Sequence, residues 1–221
     1  MKALIVADVE SMSLWDYYSP TKTQGVDVIF ACGDMKKEYL EFLVTVVNRP
    51  LFYVRGNHDE HLHENPPEGC ICVEDDVIDF HGMRILGLGG SMRYGVSSDM
   101  YTEKQMAKRI QKLRLKVKLM NGFDILLAHA PAHGHGDLPD IPHQGFECFN
   151  HLLEEWKPSY MFHGHVHKEY GNFNRRIDHP SGTTIINGYD HIIIDMPDDF
   201  HPPHGNTGNK TYDWYVKTFH R

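Results

Sequence analysis

Residues 160–171 read YMFHGHVHKEYG, and their reading decides the fold. An apolar run reaches His163, Gly164 interrupts it, and His165 and His167 follow at alternate positions. A strand sends residues i, i+2 and i+4 to one face. Three imidazoles at one strand end make a poor core and an unusual surface. They read as ligands presented by a strand, with His163, which precedes the glycine, more simply read as a satisfied inner-face histidine.

Other strands end in the same manner. LIVAD stops at Asp8, VIFACGD at Asp34, FYVRGNHD at Asn57, His58 and Asp59, and DILLAH at His129. Each is a short apolar run that halts at a polar residue, which is the strand signal. One such residue would read as a turn or a cap. Five strands in succession, with glycine before Asp34, Asn57 and His165, instead deliver polar groups to a common edge. In α/β sheets the carboxyl ends of the strands are where ligands bind.

Between these runs lie helical patterns. Lys36 to Val47 puts Tyr39, Phe42, Leu43, Val46 and Val47 on one stripe. Thr102 to Met120 is the longest helix, and GFECFNHLLEEWKP supplies another that Pro158 ends. Cys70 to Gly89 reads as consecutive strands, and TTIING and HIIIDM add two more. The mixture predicts an α/β (α+β) chain: a four-layer αββα sandwich of two mixed sheets flanked by helices. The 221 residues suit one domain, 1–221, with residues 200–221 as an extension of open role.

Composition narrows the function. Hydrophobic content is 41% and charged content 24%, ordinary for a globular chain, and no apolar run approaches the roughly 20 residues of a membrane span. The opening MKALIVADVESM reads as a buried strand rather than a leader, so a cytoplasmic location is expected. Cys32, Cys70, Cys72 and Cys148 lack paired C-x-x-C spacing and read as reduced thiols. Formal net charge is −8, and the one dense basic stretch, Lys108 to Lys118, reads as a solvated helix side. Nucleic acid is therefore a disfavoured partner. Ser91 in GGSMR is not a nucleophile elbow.

Taken together, Asp8-Val9-Glu10, Gly33-Asp34, Gly56-Asn57-His58-Asp59, His129 and Gly164-His165-Val166-His167 resemble the calcineurin-like metallophosphoesterases, in their small single-domain bacterial form. The resemblance implies two divalent metal ions, Mn or Fe favoured and Zn possible, bridged by Asp34. It implies that Asp8 and His167 hold one ion and that Asn57, His129 and His165 hold the other. It further implies in-line attack by a bridging hydroxide on a small phosphomonoester or phosphodiester, with His58 protonating the leaving oxygen and Asp59 orienting its ring. The implied partner is the small ester alone. The oligomeric state is left open.

One position departs from the pattern. The first motif of the family ends in histidine, and here it ends in Glu10. Either Glu10 ligates in place of the imidazole, or the first metal site is weakened. As a ligand, its charge would cancel the net positive charge that two divalent ions keep against Asp8, Asp34 and hydroxide. That favours hard ions and monoanionic diesters. A partly decayed site on a non-catalytic scaffold is the rival reading, and a nuclease a third. Arg93, on the Gly-rich turn GLGGSMRYG, is a candidate to grip phosphate. The long loop after His129, with His133, His135 and His143, is expected to be a substrate lid. His201, His204 and His220 read as solvated.

Overall fold

The expected apolar runs fold as strands around two sheets. The computed structural model describes residues 1–171, 173–198, 200 and 209–219. The first sheet takes β1 (Lys2–Ala7), β2 (Val28–Ala31), β3 (Leu51–Tyr53) and β4 (Ile71–Cys72), all parallel. Its far edge is β13 (Asp190–Asp195), which runs antiparallel to β1 from Lys2↔Asp195 to Ala7↔Asp190. The second sheet is built from β5 (Asp76–Phe80), β6 (Met83–Leu88), β9 (Ile125–Ala128), β10 (Tyr160–His163), β11 (Arg176–Asp178) and β12 (Thr184–Asn187). Their order across it is β11-β12-β10-β9-β6-β5. β6, β9, β10 and β12 are mutually parallel, and β5 and β11 close the edges antiparallel. Both sheets are therefore mixed.

Alternation along each strand assigns its residues to layers. Ile5, Phe30 and Phe52 of the first sheet face Ile85, Ile125, Leu127 and Phe162 of the second, forming the inner layer. Their neighbours Leu4, Val6, Ile29, Ala31 and Leu51 point outward. There they meet Tyr39, Leu40 and Leu43 of α1 (Lys37–Val47). On the opposite side, Leu86, Leu126 and Met161 meet α2 (Glu103–Leu119) and α3 (Glu147–Trp156) through Met106, Leu113, Val117, Phe149 and Leu153. Three apolar layers separate four layers of secondary structure, as expected.

Local chemistry explains the element ends. Thr102 caps α2 through a capping box: its hydroxyl accepts the Gln105 backbone amide, and the Gln105 side-chain Oε1 accepts the Thr102 amide. α1 and α3 stop at left-handed Asn48 and Lys157. The basic stretch on α2 is only partly solvated. Lys108, Lys112 and Lys118 are exposed, whereas Arg109 turns inward to Glu74, to Asp75 at 2.7 Å and to the Gly89 carbonyl at 2.8 Å. All four cysteines are free thiols, and burial pushes the Cys32 thiol well up.

The tail is more than an extension. Residues Lys210–Phe219 form α4, whose Tyr212 and Val216 are buried in the α2/α3 layer. Tyr212 also donates to Asp79 at the end of β5. A two-strand pair, β7 (Ser91–Met92) with β8 (Met100–Tyr101), was not evident from the sequence either. The readings of His201, His204 and His220 lie outside the described residues.

Candidate metal centre

Three of the motif residues leave their strands through a left-handed bend. Asp8 follows β1 with φ 68°, Asp34 follows β2 with φ 55°, and His165 follows β10 with φ 67°. Left-handed backbone disfavours most side chains, and Asp, Asn and His tolerate it best. Three such residues, two after strands of the first sheet and one after a strand of the second, mark strain held by the surrounding structure. Two glycines make the close approaches possible. A Cβ on Gly56 would strike the Asp34 carboxylate, and one on Gly164 would strike that of Asp8.

The bends bring lone pairs together. His129 is fully buried, and its Nδ1–H donates to the Cys32 carbonyl at 2.8 Å. That fixes the tautomer and leaves Nε2 facing Asn57 Oδ1 at 3.0 Å and Asp34 Oδ2 at 3.4 Å. Three acceptors around one point need a cation or a proton between them. Burial alone would lower the His129 pKa, but the Asp34 carboxylate beside it wins and raises it. On the other side, His165 donates Nε2–H to the Pro142 carbonyl at 2.6 Å. Ligand atoms of Asp34, His129 and His165 lie within 4.8 Å of one another. This donor set of one carboxylate, one carboxamide oxygen and two imidazoles fits a divalent transition metal.

The second half of the centre is looser. Asp8 accepts the His165 amide at 2.9 Å and stands 3.6 Å from His167 Nε2. The His167 ring stacks on Tyr170, with centroids 4.8 Å apart and planes at 10°. Glu10 lies in the same cavity, with Oε1 accepting the Lys36 amide at 3.2 Å and Oε2 paired with the Lys36 ammonium at 3.2 Å. The cavity is about 330 Å³. Asp8, Asp34, Asn57, His58, His165 and His167 line it.

The remaining sequence candidates separate. His58 is exposed at the cavity, its amide donating to Asp34 Oδ1 at 2.8 Å. Asp59, expected to orient the His58 ring, directs Oδ2 to backbone instead: it accepts the Asp34 amide at 2.7 Å and the Gly56 amide at 2.8 Å. Burial and then the Asp34 charge push the Asp59 carboxyl up to about 6. Arg93 does not line this cavity. Its guanidinium donates to the Met100 carbonyl at 2.9 and 3.2 Å, which fastens the β7–β8 turn and corrects the expectation that it grips phosphate. Its neighbour Tyr94 reaches the cavity, with its hydroxyl accepting from Asn57 Nδ2 at 3.0 Å.

His163 is buried at 1% exposure and donates Nδ1–H to the Gly164 carbonyl at 3.0 Å. Burial lowers its pKa to about 4. It packs beneath the centre and does not line the cavity. The loop after β9 is held down by the Pro142–His165 bond and by His143, whose ring lies 4.5 Å from Tyr170 and 5.4 Å from His165. It forms a wall of the cavity. Tyr94, Tyr170, Lys36 and His61 also line it and carry no sequence signal, because each arrives there through folding alone.

Residues 10–169 match the calcineurin-like phosphoesterase family, and the chain belongs to it. Metal-dependent phosphoester hydrolysis is the general activity of that family. Two proteins of Caenorhabditis elegans are similar in sequence. UPF0046 protein C25E10.12 is 26% identical over 206 residues, covering 75% of this chain and 69% of that protein. UPF0046 protein T07D4.2 is 29% identical over 103 residues, and the chain spans about a quarter of its length. The crystal structure of TT1561 of Thermus thermophilus superposes with a TM-score of 0.60 at 17% identity, covering 86% of this chain and 89% of that one. That likeness is one of fold. Among the described residues no helix is long and apolar enough to cross a membrane.

Proposed function

We propose that the protein is a binuclear-metal phosphoesterase that hydrolyses small phosphomonoesters or phosphodiesters. The observation that carries this is the convergence of the Asp34 carboxylate, the Asn57 amide oxygen and the His129 and His165 imidazoles around one point. One ion would sit among those four, and a second between Asp34, Asp8 and His167. Bound there, the metals supply Lewis-acid polarisation of the phosphoryl group and activation of water.

The chain's own groups do the rest. The Cys32 and Pro142 carbonyls hold the two buried imidazoles in the tautomers that offer a lone pair inward. Asp59 ties the Asp34 loop to the Gly56 loop, so the bridging carboxylate and the Asn57 amide move as one unit. His58, exposed beside them, gives a proton to the departing oxygen. Manganese, iron and zinc all suit the donor set, and the open cavity admits a small ester.

A non-catalytic scaffold is the second reading, favoured by Glu10, whose carboxylate is turned to Lys36. One experiment separates the two. Metal-depleted protein is assayed on p-nitrophenyl phosphate and its bis-ester, then again after loading with manganese, iron or zinc. Metal-restored turnover supports the enzyme. Full metal occupancy with no turnover of either ester leaves the scaffold.

A further inference from the structure

We propose that Lys36, seated by Glu10, reads the charge of the substrate and selects phosphomonoester dianions over diester monoanions. The inference rests on the phosphoesterase reading and names the substrate class of that site. Lys36 is the residue from which α1 starts, and Glu10 holds it at two points, the backbone amide and the ammonium, both at 3.2 Å. A carboxylate at a helix N-terminus is electrostatically favoured, which accounts for where Glu10 points. The Glu10 side chain is 26% exposed and that of Lys36 is 70% exposed, and both line the cavity that holds Asp8, Asp34 and His58.

An exposed ion pair adds little to stability. Its consequence here is positional. An ammonium has three N–H donors. Glu10 is the acceptor found for it among the described residues, which leaves donors directed to solvent and to an incoming anion. The pair also alters the charge count made from the sequence. Glu10 subtracts one charge from the centre, and Lys36 returns it. The premise that Glu10 makes the site neutral, and so suited to diesters, is removed. A dianion carries the extra charge and the extra unsubstituted oxygen that a compact ammonium recognises, whereas in a diester that oxygen is esterified by a second alkyl or aryl group.

The test uses the full metal-loaded chain and three variants, Lys36→Met, Lys36→Arg and Glu10→Gln. Inorganic phosphate binding is read by calorimetry, bound metal by elemental analysis, and KM and kcat on p-nitrophenyl phosphate and its bis-ester. Lys36→Met is expected to weaken phosphate binding and raise the monoester KM by about tenfold, the loss of one charge-assisted hydrogen bond. The diester KM and both kcat values stay within about twofold, since an uncharged stem keeps the packing. Lys36→Arg recovers most of the loss. Glu10→Gln moves the same way by less and keeps the wild-type metal content, as a positioning residue should. Equal shifts on both esters, unaltered phosphate binding in Lys36→Met, or loss of metal in Glu10→Gln would each overturn the proposal. If wild-type protein turns over neither ester, the phosphoesterase reading falls, and phosphate calorimetry still decides the role of Lys36.

Discussion

The Asp59 carboxylate receives the amide of Asp34 across 2.7 Å, through the same Oδ2 that receives Gly56 N at 2.8 Å. Two loops that leave different strands are thereby joined beneath the Asp34 side chain. Asp59→Ala strands both buried amides at about 1–3 kcal/mol each, and is expected to weaken metal binding by about 10–100-fold. Asp59→Asn keeps an acceptor oxygen and loses far less stability. Urea denaturation and metal titration of the two variants check this. Equal stability of Ala and Asn would refute it.

Metal binding should release a proton. The raised pKa of His129 means that in metal-free protein a proton stands between its Nε2 and Asp34, where an ion would sit. Affinity is therefore expected to fall as pH drops through that raised value, because the imidazole must be neutral to ligate. Calorimetry in buffers of different ionisation enthalpy counts the proton. His129→Gln removes the release and lowers affinity by at least about 100-fold.

His58 is expected to act on the leaving group alone. His58→Asn should lower kcat by about 10²–10⁴-fold for an alkyl phosphate with metal content unchanged. The loss should be smaller for a p-nitrophenyl ester, whose leaving group departs without a proton. A uniform loss across leaving groups would assign His58 to binding instead.

Acid should cost stability through His163. Its folded pKa lies near 4, below the ordinary histidine value, so between about pH 6.5 and 4 the unfolded chain binds a proton that the folded one refuses. Stability contributed by the neutral ring is complete above that window and is lost as pH falls through it, about 2 kcal/mol by pH 5. His163→Gln keeps a donor for the Gly164 carbonyl and flattens the slope. Denaturation midpoints at pH 7 and pH 5, compared with wild type, measure the difference.

The layers and the five strands that end in polar residues were legible in the sequence, because each is a local pattern: an apolar run that halts at a polar residue, in three cases behind a glycine. What escaped is non-local. Glu10 and Lys36 stand 26 positions apart, and their pairing follows from where α1 begins relative to β1. Arg93 and Tyr94 are adjacent, and only the twist of the β7–β8 turn decides that the tyrosine, not the arginine, faces the cavity. The docking of α4 did carry a signal, since Tyr212 and Val216 share one helix face at i and i+4. The Pro- and Gly-rich segment before it masked that pattern.

Left-handed backbone at Asp8, Asp34 and His165 also limits which alleles can silence this protein cleanly. Asparagine adopts that conformation at little expense, so Asp34→Asn should keep the loop path while removing the carboxylate charge from the proposed metal centre. Valine or isoleucine would unbend the chain and confuse inactivity with misfolding. A folded, inert form suitable for trapping an intact ester is thus one atom away from the native side chain.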